Sequence, residues 1–128
     1  MTSEREEKER PTAASEPADL SRVLKSIRGD ETLLGRLIDN FLADCPTRRL
    51  ALQHGAAAGN AEEVDREAHG LRGTLLLFGA EPAAKLALEL EVLARSGRLQ
   101  GVEEILRRLD AELDQLAAFL ARRQVASP

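Results

Sequence analysis

Residues 66–80 read REAHGLRGTLLLFGA, and together with Val64 they set the periodicity on which the fold depends. Projected at about 100° per residue, Val64, Ala68, Leu71, Leu75 and Phe78 fall on one stripe with the alternating spacing of a bundle seam. That stripe must face a core. On the same projection His69 points roughly 140° away from the stripe centre, so its imidazole stands toward water. Its face also carries Glu62, Arg66, Gly73 and Leu76, with Arg72 at the flank and Leu77 just beyond.

The pattern repeats on both sides. Leu33, Leu34, Leu37, Ile38, Phe41 and Leu42 predict a helix from about Asp30 that reaches Pro46 and there either kinks or restarts, with Leu50 resuming the stripe. AAAGN at 56–60 breaks it before a third helix from about Ala61. GAEP at 79–82 precedes a fourth, with Pro82 suited to the first turn and Leu86, Leu90 and Leu93 facing inward, and SGR at 96–98 closes it. A last helix carries Val102, Ile105, Leu106, Leu109, Leu113, Leu116 and Leu120. Before all of these, Leu20, Val23, Leu24 and Ile27 form a short amphipathic segment, stopped at Gly29, that can lie across one end. Leucine and alanine supply 22 and 20 residues against eight valines and isoleucines together, which favours helix over strand throughout. The expected fold is all-α: an antiparallel up-down four-helix bundle with an additional short N-terminal helix over residues 18–124. Residues 1–17, charged and without apolar periodicity, read as a disordered N-terminal tail, and 125–128 as a C-terminal tail.

Composition narrows the function. The chain of 128 residues is one domain's worth, 43% hydrophobic and 31% charged, with no apolar run long enough to span a membrane. Eighteen Lys and Arg against 22 Asp and Glu give a net charge of -4, and there are three Phe with no Trp or Tyr. Nucleic acid is therefore an improbable partner, because phosphate binding needs a basic face and single strands need stacking rings. A lone Cys45, read as a small buried filler, excludes an internal disulfide framework. The start MTSEREEKER lacks an apolar signal core, so the cytoplasm is the expected location.

The face around His69 is unusual in two ways. Gly73 sits mid-helix one turn beyond the histidine, where glycine costs about 1 kcal/mol relative to alanine, so the missing side chain should clear space for a bulky group on the ring. Leu76 and Leu77 put apolar surface on a side that ought to be solvated, as docking surfaces do, although either could instead tuck against the short N-terminal helix or the following turn. Arg72 at i+3 and Arg66 at i-3 can swing toward the imidazole and stabilise an anion carried there; Arg66 could equally pair with Glu62. A nucleophilic ring with room, cations and a docking patch suits phosphoryl transfer.

HGLRGTLLLFGA resembles the signature H-x-L-K-G-x-x-x-x-x-G-A of the histidine-containing phosphotransfer (HPt) domains of bacterial multistep phosphorelays, in register at His69, Leu71, Gly73, Gly79 and Ala80. The GDE opening at 29–31, LLGRLIDNFLADCP, AAAGNAEEVDREAH and LALELEVLARSG resemble the same family, so the likeness spans about residues 19 to 123. It implies that His69 accepts a phosphoryl group at Nε2 from a phospho-aspartate on one receiver domain and yields it to another. By the same resemblance Arg72, where the family usually has lysine, would stabilise the phosphoryl oxygens, and Gly73 would give clearance. From the helix face itself, Arg66 is a further candidate for stabilising the phosphoryl group, and Leu76, Leu77 and Glu62 are the expected receiver-docking residues. The implied partners are response-regulator receiver domains and a hybrid sensor histidine kinase. No cofactor is expected on this chain, because the resemblance assigns Mg²⁺ to the receiver. A stand-alone monomeric carrier, not an enzyme, is the expectation. Two departures stand out: arginine replaces lysine at 72, changing reach and geometry, and Leu77 stands where many members have a small polar residue.

The rival readings are weaker. A carboxylate-bundle metal site needs Glu-x-x-His pairs, but residue 66 is arginine and His54 has no such glutamate; Asp65 and His69 alone are two ligands. Cys45 and the two histidines share no catalytic motif, and His54 near a helix end suits a helix-terminus interaction. The serious alternative is a non-phosphorylated HPt-like interaction module that binds a receiver or kinase as an inhibitor.

Overall fold

The computed structural model describes residues 16–126, so most of the expected N-terminal tail and the last two residues of the C-terminal one lie outside the described residues. Five helices occur among them and no strand: α1 (Leu20–Ser26), α2 (Glu31–Ala58), α3 (Ala61–Leu77), α4 (Glu81–Arg95) and α5 (Val102–Ala126). Each long helix packs on the next in sequence, and α5 closes the ring against α2, giving the four-helix bundle. No described helix is long and apolar enough to cross a membrane.

Local chemistry sets the boundaries. The Asp30 carboxylate accepts from Leu33 N at 3.0 Å to start α2, and the Asn60 amide oxygen accepts from Glu63 N at 3.1 Å to start α3. Between α2 and α3 only Gly59 and Asn60 are non-helical, with Gly59 left-handed at φ 68°. The break expected at 56–60 is thus narrower than the composition suggested: Ala56, Ala57 and Ala58 stay helical because alanine is the best helix former and nothing stops the helix before the glycine. Pro46 does not restart α2 either. It lies exposed inside one 28-residue helix, and the carbonyl it fails to serve can turn to solvent.

The core is built mainly from Leu34, Ile38, Phe41 and Leu52 of α2, the α3 stripe, Leu86 and Leu90 of α4, and Leu106, Leu109, Leu113, Leu116 and Leu120 of α5. Leu50 corrects the sequence reading. It is 66% exposed, and Leu52 takes the buried place, because the stripe 38, 41, 45, 52 continues around the helix while residue 50 falls on its far side. Phe41 and Phe78 meet edge to face with centroids 5.6 Å apart, joining α2 to the end of α3.

That end also receives α1. Asp19 caps α1 through Ser21 N at 3.1 Å, and its own backbone N–H donates to Phe78 O at 3.1 Å. Gly79 makes this approach possible: it has φ 65°, and a Cβ built there would lie 2.8 Å from Asp19 O. The glycine of the FGA turn is therefore a seat for the N-terminal segment. Gly79→Ala is expected to lower stability by roughly 2 kcal/mol in chemical denaturation, from left-handed strain and the contact with Asp19 together. An unchanged midpoint would remove that role.

Candidate functional site

The α3 stripe is buried as the periodicity requires, with none of its five residues more than 1% exposed. His69 consequently projects outward, its side chain 64% exposed. It does not stand alone. Its Nδ1 lies 3.2 Å from Oε1 of Glu91, which reaches across from α4 and is the one buried charged residue among the described residues, at 1% exposure. Arg72 donates from Nε to Glu91 Oε2 at 2.5 Å and from Nη2 to Oε1 at 3.5 Å. Arg95 donates from Nη2 to Oε1 at 3.3 Å, while its Nε bonds Asp65 at 3.2 and 3.3 Å. Three donors from two helices thus meet on one carboxylate.

Their charges decide its state. Burial pushes the Glu91 carboxyl up, but the hydrogen bonds from Arg72 and His69 and their charges outweigh this and hold it below the ordinary carboxylate value. The same hydrogen bond pushes the Arg72 guanidinium up against a smaller opposing effect of burial. An ionised carboxylate can only accept, so His69 Nδ1 must carry the proton. The ring is then held in the tautomer that leaves the Nε2 lone pair facing solvent, as a carboxylate orients a metal-bound or catalytic histidine elsewhere.

The other expected residues divide. Gly73 is exposed, and a Cβ there would meet nothing within 4 Å, so the notch beyond the imidazole is open. Leu76 and Leu77 are 48% and 40% exposed. Glu62 is exposed in the first turn of α3. Arg66 is brought to neither His69 nor Glu62; its Nε lies 3.8 Å from Glu67. Arg72 is close to the ring, yet its guanidinium is committed to Glu91. His54 bonds Glu63 at 3.0 Å, and Cys45 is buried, with burial pushing its thiol away from the reactive thiolate. Among the described residues no three His, Cys, Asp or Glu side chains converge to hold a metal ion.

Sequence reasoning missed Glu91, Arg95, Gly70 and the exposed pair Leu88 and Val92, 43% and 62% exposed on α4. A signal for Glu91 existed: it continues the Ala87, Ala94 line of α4, an inward line on which a charge needs a partner. Gly70 admits Arg48. A Cβ at 70 would lie 2.5 Å from the Arg48 guanidinium, which Asp44 and Glu67 hold at 3.0 and 3.1 Å. Arginines therefore bracket α3 next to His69, from the α2 side and from the α4 side.

Glu91 is testable directly. Nitrogen-15 NMR of the imidazole should show the Nδ1–H tautomer dominant in the wild type, and a shift toward Nε2–H in Glu91→Gln would support the carboxylate as its cause. Because the folded value lies below the ordinary 4.5, the ionised pairing contributes stability above pH 4.5 and loses it as the pH falls through the folded value. The stability difference between the wild type and Glu91→Gln should shrink on acidification; a difference flat in pH would sink the assignment.

Comparison with known proteins bears on the fold and the family. No curated protein matches the sequence significantly. The crystal structure of histidine-containing phosphotransfer protein B (HptB) from Pseudomonas aeruginosa PAO1 is similar with a TM-score of 0.81 at 23% identity, covering 88% of this chain and 97% of that chain, which speaks for the fold. The family model of the Hpt domain matches residues 36–119, a stretch that holds His69, Arg72, Gly73 and Glu91 and runs to well over half the chain. The chain belongs to the Hpt domain family.

Proposed function

We propose that the protein is a phosphoryl carrier of a two-component phosphorelay, taking a phosphoryl group on His69 Nε2 from a phospho-aspartate receiver domain and passing it to another receiver. The observation that carries this reading is the buried Glu91 carboxylate under an otherwise exposed ring. As Nε2 attacks, the N–P bond forms and the acyl phosphate P–O bond breaks, the aspartate carboxylate leaving with the electron pair. Nδ1 keeps its proton throughout. Positive charge that builds on the ring is matched by Glu91, and the reverse transfer expels a neutral imidazole, so no proton moves in either direction. What remains is positioning and charge neutralisation, which dominate phosphoryl transfer.

In this reading Arg72 turns to the phosphoryl oxygens, and Gly73 leaves room for the group and for the wall of the partner's site. Leu76, Leu77 and Glu62 meet the receiver, and Arg66 adds positive charge at the rim. The receiver supplies the Mg²⁺ and the acidic pocket, so this chain needs no cofactor and acts as carrier and not as enzyme. A hybrid sensor histidine kinase stands upstream, the protein works as a monomer, and the cytoplasm is the compartment such partners share.

Incubation with a phosphorylated receiver should leave an acid-labile, base-stable phosphate on the protein, absent in His69→Gln with helix content unchanged. Absence of any adduct on the wild type, with binding retained, would instead favour the inhibitor module. A second expectation separates stability from function. Gly73→Ala fills open space in mid-helix, so it should raise unfolding stability by about 1 kcal/mol while slowing transfer, and Gly73→Leu should slow transfer further. Full transfer by both variants would rule out the clearance role.

A further inference from the structure

Glu91 carries more counter-charge than its resting state needs. Arg72 touches both of its oxygens, most closely Oε2 at 2.5 Å, while Arg95, one turn further along α4, places Nη2 3.3 Å from Oε1. The two arginines are not equivalent. Arg72 has a side chain 27% exposed, whereas that of Arg95 is 60% exposed and is also anchored across the seam by Asp65. A carboxylate closed off to 1% exposure stays ionised only with a cation against it. The ring's own positive charge answers Glu91 only as the N–P bond forms, so Arg72 can leave early for the phosphoryl oxygens only if another cation already stands against the carboxylate.

We infer that Arg95 is the cation that stays: a positioning residue that keeps Glu91 paired while Arg72 crosses from Glu91 to the phosphoryl oxygens on His69. This rests on the carrier reading above. The geometry favours the exchange. The short Arg72 bond is to Oε2, whereas Arg95 shares Oε1 with His69 Nδ1, so withdrawal of Arg72 frees one oxygen and leaves the other with its two donors. Asp65 bonds the Arg95 Nε from the α3 side, so the guanidinium is already in place when Arg72 moves. Arg95 need not touch the phosphoryl group. Its effect passes through Glu91 and Arg72, and the tautomer of His69 is preserved because the carboxylate never loses its charge.

The test uses the full chain and phosphoramidate as a small phosphoryl donor, with phosphohistidine followed by phosphorus-31 NMR and the arginine Nε–H groups by proton–nitrogen correlation. In the wild type the Arg72 resonance should shift as His69 becomes phosphorylated. In Arg95→Gln phosphohistidine should accumulate about tenfold more slowly, with the Arg72 resonance left in its unphosphorylated position. Arg95→Lys should recover most of the rate. With Glu91→Gln the carboxamide needs no counter-ion, so adding Arg95→Gln to that variant should change nothing further. Wild-type behaviour of Arg95→Gln, or an equal loss on the Glu91→Gln background, would overturn the inference while leaving the carrier reading intact. A wild type that never gains phosphate on His69 would overturn both. If Arg95→Gln fails to fold by circular dichroism, the double variant decides: it must match Glu91→Gln, and a further loss counts against the exchange.

Discussion

A carboxylate removed from water must be answered by hydrogen-bond donors, and Glu91 is answered by three from two helices. That requirement organises the site. It ties α4 to α3 at the level of His69, fixes which imidazole nitrogen holds the proton, and decides where Arg72 rests. Without the buried charge, His69 would be one more solvated histidine on a helix. With it, the exposed nitrogen has a defined lone pair, and a counter-ion is already built into the wall behind the ring.

The bundle supplies rigidity and the glycines supply access, each for a separate physical reason. Gly79 is required for its left-handed backbone and for the close approach of Asp19; Gly70 yields its side-chain volume to Arg48; Gly73 has nothing near it at all. Only the last is unexplained by packing within the chain. A mid-helix glycine in open space costs helix stability without an internal return, which is the observation behind the clearance role proposed for it. The apolar surfaces of Leu76 and Leu77 lie on the same helix and are likewise uncovered.

Periodicity was readable wherever a helix has one clear apolar stripe. The α3 seam from Val64 to Phe78 and the α5 line from Leu106 to Leu120 are buried as their spacing requires. Failure came where residue type was weighed above phase. Leu50, the first large aliphatic after Pro46, drew attention from Leu52, although two positions apart on a helix means opposite sides. The alanines before Gly59 neighbour a glycine and an asparagine, but their own propensity keeps them helical. Pro46 left two outcomes open, and an outward-facing proline allowed α2 to pass through.

From the sequence by itself came the all-helical class, the number and order of the helices, the outward direction of His69 and the empty place at Gly73, because each depends on phase within a single helix. The destinations of long charged side chains did not follow. Arg72 and Arg66 both lie within a turn of His69, but one is taken by Glu91 and the other turns to Glu67. A helical projection gives the direction of a Cβ, whereas a guanidinium several bonds away goes to whichever carboxylate lies in reach, on α4 for Arg72 and on its own helix for Arg66. Only the register between α3 and α4 settled that choice, and with it the proton on His69.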